Sequence, residues 1–138
     1  MVRILSDLER TGDLCLRIVK LAPSQPLLSS NAATFGILRA MAGEALELFR
    51  TALKAWSTGD LRLARTLEER DDALDDHYSN LMQEVLRFEG PDAVPMAIQT
   101  LAAGRALERI ADHSVMIGER LRYMLTGSFE PISKEIGP

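Results

Sequence analysis

The strongest constraint in this sequence is the spacing of its apolar residues, which recur every three or four positions over long stretches. A half-buried strand would instead need apolar and polar residues in sustained alternation, and the sequence shows none. The composition agrees, because aromatic residues make up only 5% while leucine, alanine, arginine and glutamate are abundant. The pattern therefore predicts an all-α protein built from long amphipathic helices.

Segments that contain proline or glycine divide the apolar pattern into four helices. Prolines cannot continue a helix, so Pro23 and Pro26 end the first one, and glycines at positions 59 and 90 mark the later turns. These signals predict a first helix within residues 1–22, a linker at 23–30, three long helices at 31–127 and a flexible tail at 128–138. Because the connections between the long helices are short, we expect an antiparallel up-down bundle.

Charge and composition exclude several classes of protein. With 46% apolar and 26% charged residues, the chain is typical of a folded domain. Twenty acidic and sixteen basic residues give a net charge of -4, which does not favour nucleic-acid binding. The single Cys15 has no partner for an internal disulfide, and no stretch resembles a signal peptide or a membrane span. We therefore expect a cytoplasmic protein that is not integral to the membrane.

Acidic residues spaced four apart are the second informative feature. With residues placed at 100° intervals, Asp75 lies within about 40° of Asp71, and both share a face with Leu67, Leu74 and Leu81. Two like charges on an apolar face are costly unless a cation compensates them, and hard cations prefer carboxylate oxygens. Spacing alone leaves a second interpretation open, in which these acids lie at the wet edge of the bundle and pair with arginines.

The same spacing occurs twice more, in a repeated motif. The sequence L-E-R-x-x-D appears in the first and last helices, where it pairs Glu9 with Asp13 and Glu108 with Asp112. Small residues beside these acids, such as Gly104, leave room for an ion, although helix packing alone also explains them. Three acid pairs of one spacing on three helices favour a carboxylate metal site.

These motifs resemble those of the PhoU family, whose fold is two similar three-helix bundles in tandem. Its hallmark is an E(D)xxxD motif on two helices of each bundle. The stretches ERDDALDDHY and RALERIADHSVMIGERLRYMLTG, which start at Glu69 and Arg105, look like its middle and closing helices. One departure is Ala111, which stands where the family more usually has glycine. The resemblance implies that residues 1–22 match the end of a first bundle and residues 31–127 a complete second bundle.

The resemblance also implies a metal site and a regulatory function. The implied metal ligands are Asp71, Asp75, Glu108 and Asp112, with Glu9 and Asp13 as a second site. They would hold one or more divalent or trivalent ions, with iron, zinc, manganese and magnesium as candidates. The protein would catalyse no reaction. It would act as an adaptor between the phosphate ABC transporter and a sensor histidine kinase, and so regulate phosphate uptake and phosphate-starvation signalling.

Two alternatives remain open from the residues alone. One is a structural helical oligomerisation module whose acids are solvated and bind no metal. The other is a di-iron carboxylate enzyme, which needs Glu-x-x-His pairs that the sequence lacks. His77 and His113 are candidates for additional metal ligands, although a lone helical histidine is more often a packing or surface residue.

The first helix predicts self-association. It carries an apolar stripe that consists of Ile4, Leu8, Cys15, Ile18 and Val19. This stripe must pack on the other helices or on a second copy of the chain, and an exposed stripe of that length is an association site. We therefore expect a homodimer.

Overall fold

The computed structural model describes residues 2–127, so the predicted tail at 128–138 lies outside the described residues. The helices are α1 (Val2–Val19), α2 (Gln25–Ser29), α3 (Ala32–Thr58), α4 (Leu61–Val85) and α5 (Ala93–Thr126). A 3-10 turn at Ala22–Ser24 precedes α2, and no strand occurs in the described part of the chain. The all-α expectation is confirmed, with α1, α3, α4 and α5 as the four predicted helices.

Local capping signals explain where the long helices begin and end. The side chain of Asn31 accepts a hydrogen bond from the backbone N–H of Thr34, and Asp60 caps α4 in the same way. Gly59 and Gly127 end α3 and α5 in the left-handed conformation, with φ of 64° and 72°. These ends agree with the sequence, whereas α4 ends at Val85, five residues before the predicted turn at Gly90.

The segment predicted as a linker contains regular structure of its own. Pro23 and Pro26 lie in the first turns of the 3-10 turn and of α2, where a missing N–H costs no hydrogen bond. Leu28 of α2 is buried in the main core. The connection between α1 and α3 is therefore attached to the bundle by apolar burial.

The three long helices pack around one apolar core. Its fully buried side chains include Met41, Leu48, Leu67, Leu74, Leu81 and Ile117. Helices α4 and α5 approach closely at two glycines of α5, because a Cβ on Gly104 would lie 2.5 Å from Leu81 Cδ2 and one on Gly118 would lie 2.9 Å from Leu67 Cδ1. The stretch of α4 and α5 between these two contacts holds the acidic residues considered below.

Helix α1 runs antiparallel to α5 and packs against it, but not by the whole predicted stripe. Ile4 is buried and Leu8 and Ile18 are partly buried, whereas Cys15 and Val19 are exposed. Cys15 and Val19 each follow a residue of the inward row by one position, so they lie to one side of it, and the inward row itself also contains polar groups. These are Asp7 and Thr11, both of which are buried.

An ion pair with α5 accounts for the buried acid of α1. Asp7 is only 2% exposed and accepts a hydrogen bond from Nε of Arg120. Its other carboxylate oxygen lies 3.2 Å from Nδ1 of His113.

Within residues 2–127, no helix is both long enough and apolar enough to cross a membrane.

Candidate metal centre

Three of the predicted ligands meet between α4 and α5. One carboxylate oxygen from each of Asp71, Asp75 and Asp112 lies within 4.8 Å of the other two. The two α4 residues are one turn apart and share a face, while Asp112 faces them from α5. Oxygen atoms at these separations can coordinate a single hard cation or bridge two.

Asp71 is the most strongly perturbed acid of the cluster. Its Oδ1 atom is buried and has no hydrogen-bond partner. Burial, followed by repulsion from Asp75 and Asp112, raises the pKa of Asp71 from its ordinary value of 3.8 to about 7. A buried carboxylate oxygen without a donor is costly, and a bound cation would supply the missing partner.

The other two acids are shifted in the same direction. Burial and then repulsion from Asp112 and Glu108 raise the pKa of Asp75. Burial and repulsion from Glu108 raise the pKa of Asp112, although Arg105 and Arg109 partly offset the increase. The cluster therefore concentrates negative charge that nearby arginines compensate only in part.

Glu108 lies beside the three-acid cluster and not within it. Its Oε2 atom accepts a hydrogen bond of 2.9 Å from Nη1 of Arg105 on the same helix. The charge of Glu108 nevertheless raises the pKa of each of the three aspartates. Three of the four predicted ligands are therefore brought together. The fourth, Glu108, pairs with Arg105 and is not part of the group.

The second predicted site has no third acidic ligand. Glu9 and Asp13 are both exposed on α1. Within residues 2–127, the three-aspartate cluster is the one group of three or more histidines, cysteines or acids that could hold a metal. Asp13 instead lines a cavity with arginines of α1 and α5.

Neither histidine is directed at the cluster. Nε2 of His77 lies 3.0 Å from Oε1 of Glu44 on α3. Nδ1 of His113 contacts Asp7, as described above. Both histidines therefore link helices to one another, and neither complements the three aspartates as a ligand.

Two further acids that the sequence reasoning missed lie between α4 and α5. Oε2 of Glu68 is buried without a hydrogen-bond partner. Burial, followed by repulsion from Glu68, raises the pKa of Glu119. The signal was present, because Glu68 precedes Asp71 by three residues and Glu119 follows Asp112 by seven, both helical repeats.

Comparison with known proteins gives the family that the chain is similar to. A family model described as the PhoU domain matches residues 38–121, which include all four acids of the predicted main site. The chain is 34% identical over 130 residues to the phosphate-specific transport system accessory protein PhoU homolog 1 of Mycobacterium tuberculosis. That alignment covers 91% of this chain and 58% of the relative.

Two further relatives give similar results. PhoU homolog 2 of Mycobacterium tuberculosis is 29% identical over 129 residues, covering 93% of this chain and 61% of the relative. The PhoU homolog of Deinococcus radiodurans is 29% identical over 134 residues, covering 94% of this chain and 62% of the relative. No solved structure matches the chain.

These matches show how much of its relatives the chain covers and which class of protein those relatives belong to. The chain spans roughly three fifths of the length of the relatives, as the 58–62% coverage shows. The names of the PhoU homologues describe accessory proteins of a transport system and no enzyme. That class agrees with the expectation that the chain is not a catalyst.

Proposed function

The chain belongs to the PhoU domain family, and on that basis we propose that it regulates phosphate uptake and phosphate-starvation signalling. In this proposal it is a metal-binding helical adaptor in the cytoplasm, between the phosphate ABC transporter and a sensor histidine kinase. The names of the relatives, which describe accessory proteins of phosphate-specific transport, support the link to phosphate uptake. The metal is iron, zinc, manganese or magnesium, bound as one ion or several.

The observation that supports metal binding is the unpartnered Asp71 oxygen inside a cluster of three carboxylates. Without a cation, this group destabilises the folded chain, because burial and repulsion act against its ionised form. With a cation, the same oxygens would join α4 to α5 between the two glycine contacts of these helices. A metal bound only by the folded state would stabilise the bundle by mass action.

The outer side of α1 supports self-association. Leu5, Leu16 and Val19 are 58%, 58% and 65% exposed and lie on the side of α1 that faces away from α5, with Glu9 and Gly12 between Leu5 and Leu16. Apolar side chains in such a row favour contact with a second surface. We propose a homodimer through this row, to be tested by light scattering of the chain beside Leu16→Glu, which should be monomeric.

Metal analysis tests the proposed site directly. The purified chain, Asp71→Asn and the control Asp76→Asn would be incubated with iron, zinc or manganese, desalted and analysed for bound metal. Asp76 is exposed and one residue from Asp75, but it lies outside the cluster. We expect the chain and Asp76→Asn to retain metal and Asp71→Asn to lose most of it. Equal metal content in all three proteins would remove the metal site from the proposal.

A cellular experiment tests the regulatory role separately. Expression of a phosphate-starvation reporter would be measured in phosphate-replete cells that lack the gene, with each of the same three forms returned. We expect the unaltered chain and Asp76→Asn to restore repression and Asp71→Asn to restore it poorly. A gene deletion that leaves both the reporter and phosphate uptake unchanged would contradict the regulatory function, whatever the metal content.

A further inference from the structure

A basic groove lies between α1 and α5, on a face of α5 next to the one that carries Asp112. It consists of two cavities of about 210 Å³ and 400 Å³. Both cavities are lined by Leu14, Arg17 and Arg109, so they lie side by side along the two helices. Because about 10–15 Å³ of such space is enough for one water molecule, either cavity has room for a polyatomic ligand.

The charge of this groove is opposite to that of the chain. Its lining includes five basic residues, Arg10, Arg17, Lys20, Arg105 and Arg109, and one acid, Asp13. The chain as a whole has 16 basic and 20 acidic residues. Such local reversal of sign attracts anions, since clustered like charges raise the potential in a cleft.

Most of these basic groups have no partner of their own. Within the described residues, the side chains of Arg10, Arg17, Lys20 and Arg109 make no hydrogen bond and no ion pair, whereas Arg105 pairs with Glu108. An arginine guanidinium presents several N–H donors in a fixed plane, which suits the oxygens of a phosphate group. Three such groups converge on the smaller cavity.

Helical periodicity explains why the groove has a basic rim and an apolar floor. Arg10, Leu14 and Arg17 follow one another at intervals of four and three residues on α1, and Leu21 comes four residues later, just after the helix. On α5 the corresponding residues, at intervals of four, three and four, are Ala102, Ala106, Arg109 and His113. The two rows face each other because the helices are antiparallel. Leu14 and Ala106 are buried between them, while the arginines of both rows are exposed at the edges.

We propose that this groove binds a phosphorylated small molecule. Its phosphate groups would lie among Arg10, Arg17 and Arg109, and an uncharged portion would lie along the apolar floor at Leu14 and Ala106. The ligand is either a free polyphosphate anion or a nucleotide, which share the phosphate chemistry. This inference does not depend on the metal site, because none of the three aspartates lines the groove.

Calorimetric titration of the purified chain tests the proposal. Inorganic pyrophosphate, inorganic triphosphate and ATP would be titrated separately at fixed ionic strength, with a chelator present so that no bound metal can mediate the contact. Saturable binding of inorganic triphosphate and ATP at equal affinity would assign the site to phosphate groups alone. Tighter binding of ATP than of inorganic triphosphate, which has the same number of phosphate groups, would show that the apolar floor also contributes. If none of these compounds binds, the proposal is wrong.

Matched variants test where the anion binds. Arg17→Gln should weaken binding about tenfold, the size expected for losing one charge-assisted hydrogen bond. The control is Arg39→Gln, an exposed arginine of α3 that does not line the groove. Equal weakening by both variants would mean a non-specific charge effect and would overturn the proposal.

The Asp71→Asn variant separates the two proposed sites. It should lose metal, and with the chelator present it should keep the pyrophosphate affinity of the unaltered chain, because Asp71 lies outside the groove. Failure of the groove proposal and failure of the metal proposal would therefore be distinguishable in the same set of proteins. Circular dichroism of each variant confirms that Arg17→Gln and Arg39→Gln are folded.

Discussion

Replacing Asp71 by asparagine should stabilise the metal-free protein at alkaline pH. Asparagine has nearly the same shape as aspartate but carries no charge. The ionised form of Asp71 is unfavourable in the fold because burial and the neighbouring carboxylates raise its pKa to about 7. The substitution removes that unfavourable charge and leaves the packing of α4 unchanged.

The size of the effect follows from the pKa of Asp71. The pKa rises from 3.8 to about 7, and each unit corresponds to about 1.36 kcal/mol, which sets an upper limit of about 4 kcal/mol. Because the side chain is only partly buried, solvent screening reduces this to about 2 kcal/mol. For a chain of this length, that free energy corresponds to about 7 °C in melting temperature.

The sign depends on pH in a defined way. The folded chain keeps the Asp71 proton up to about pH 7, whereas the unfolded chain releases it near pH 4. Between these values the folded state binds more protons, so the free energy of unfolding falls as pH rises. The difference in the free energy of unfolding between Asp71→Asn and the unaltered chain should therefore be small at pH 4. It should grow until about pH 7 and stay constant up to pH 8.

Thermal denaturation with excess chelator, followed by circular dichroism, measures this difference. At pH 8 we expect Asp71→Asn to melt above the unaltered chain, with Asp76→Asn as the control for removing an exposed charge nearby. Saturating metal should reverse the order, because only an intact cluster gains stability from the ion. A chelated Asp71→Asn protein that melts at or below the unaltered chain at pH 8 would refute the buried, unpartnered carboxylate.

Other substitutions test the packing of α5 and the competition between protons and metal. Gly104→Ala should lower the free energy of unfolding in urea by about 1–3 kcal/mol, because its Cβ would lie 2.5 Å from a leucine carbon. Gly43→Ala, which meets nothing within 4 Å, should instead raise it by about 0.5–1 kcal/mol. Asp7→Ala leaves Arg120 without its buried partner and should cost about 3–5 kcal/mol in the same assay, and a loss below 1 kcal/mol would contradict the ion pair. Metal affinity, measured by competition with a chelating dye, should fall as pH drops below about 7, because protons compete for Asp71.

The long helices could be predicted because their limits depend on local chemistry. Asn31 and Asp60 cap helices through bonds to residues two or three positions away, and such signals are visible in the sequence. The side of α1 that faces α5 could not be predicted in the same way. Asp7 is buried because Arg120, more than a hundred positions later, pairs with it across the helix interface. Periodicity alone assigns an acid to the solvent side.

The acid cluster was predictable in part for a related reason. Asp71 and Asp75 share the apolar side of α4, so the packing of α4 on α5 necessarily brings them near α5. The spacing of Glu108 and Asp112 places both on the same side of α5, but it does not reveal that Arg105 pairs with Glu108. Asp112 joins the cluster and Glu108 does not because of side-chain contacts, and sequence spacing does not reveal such contacts.

Helix α5 forms a wall of both proposed sites, and its charges connect them. Asp112 belongs to the acid cluster, whereas Arg109 lines the basic groove. The charge of Arg109 nevertheless partly offsets the rise in the pKa of Asp112. An anion in the groove would offset the charge of Arg109, so the potential at Asp112 would become more negative and more favourable to a cation. Because coupling between binding sites is reciprocal, a cation at the cluster would strengthen anion binding in the groove by the same factor. The two sites, opposite in charge and on neighbouring faces of α5, would therefore bind their ligands cooperatively.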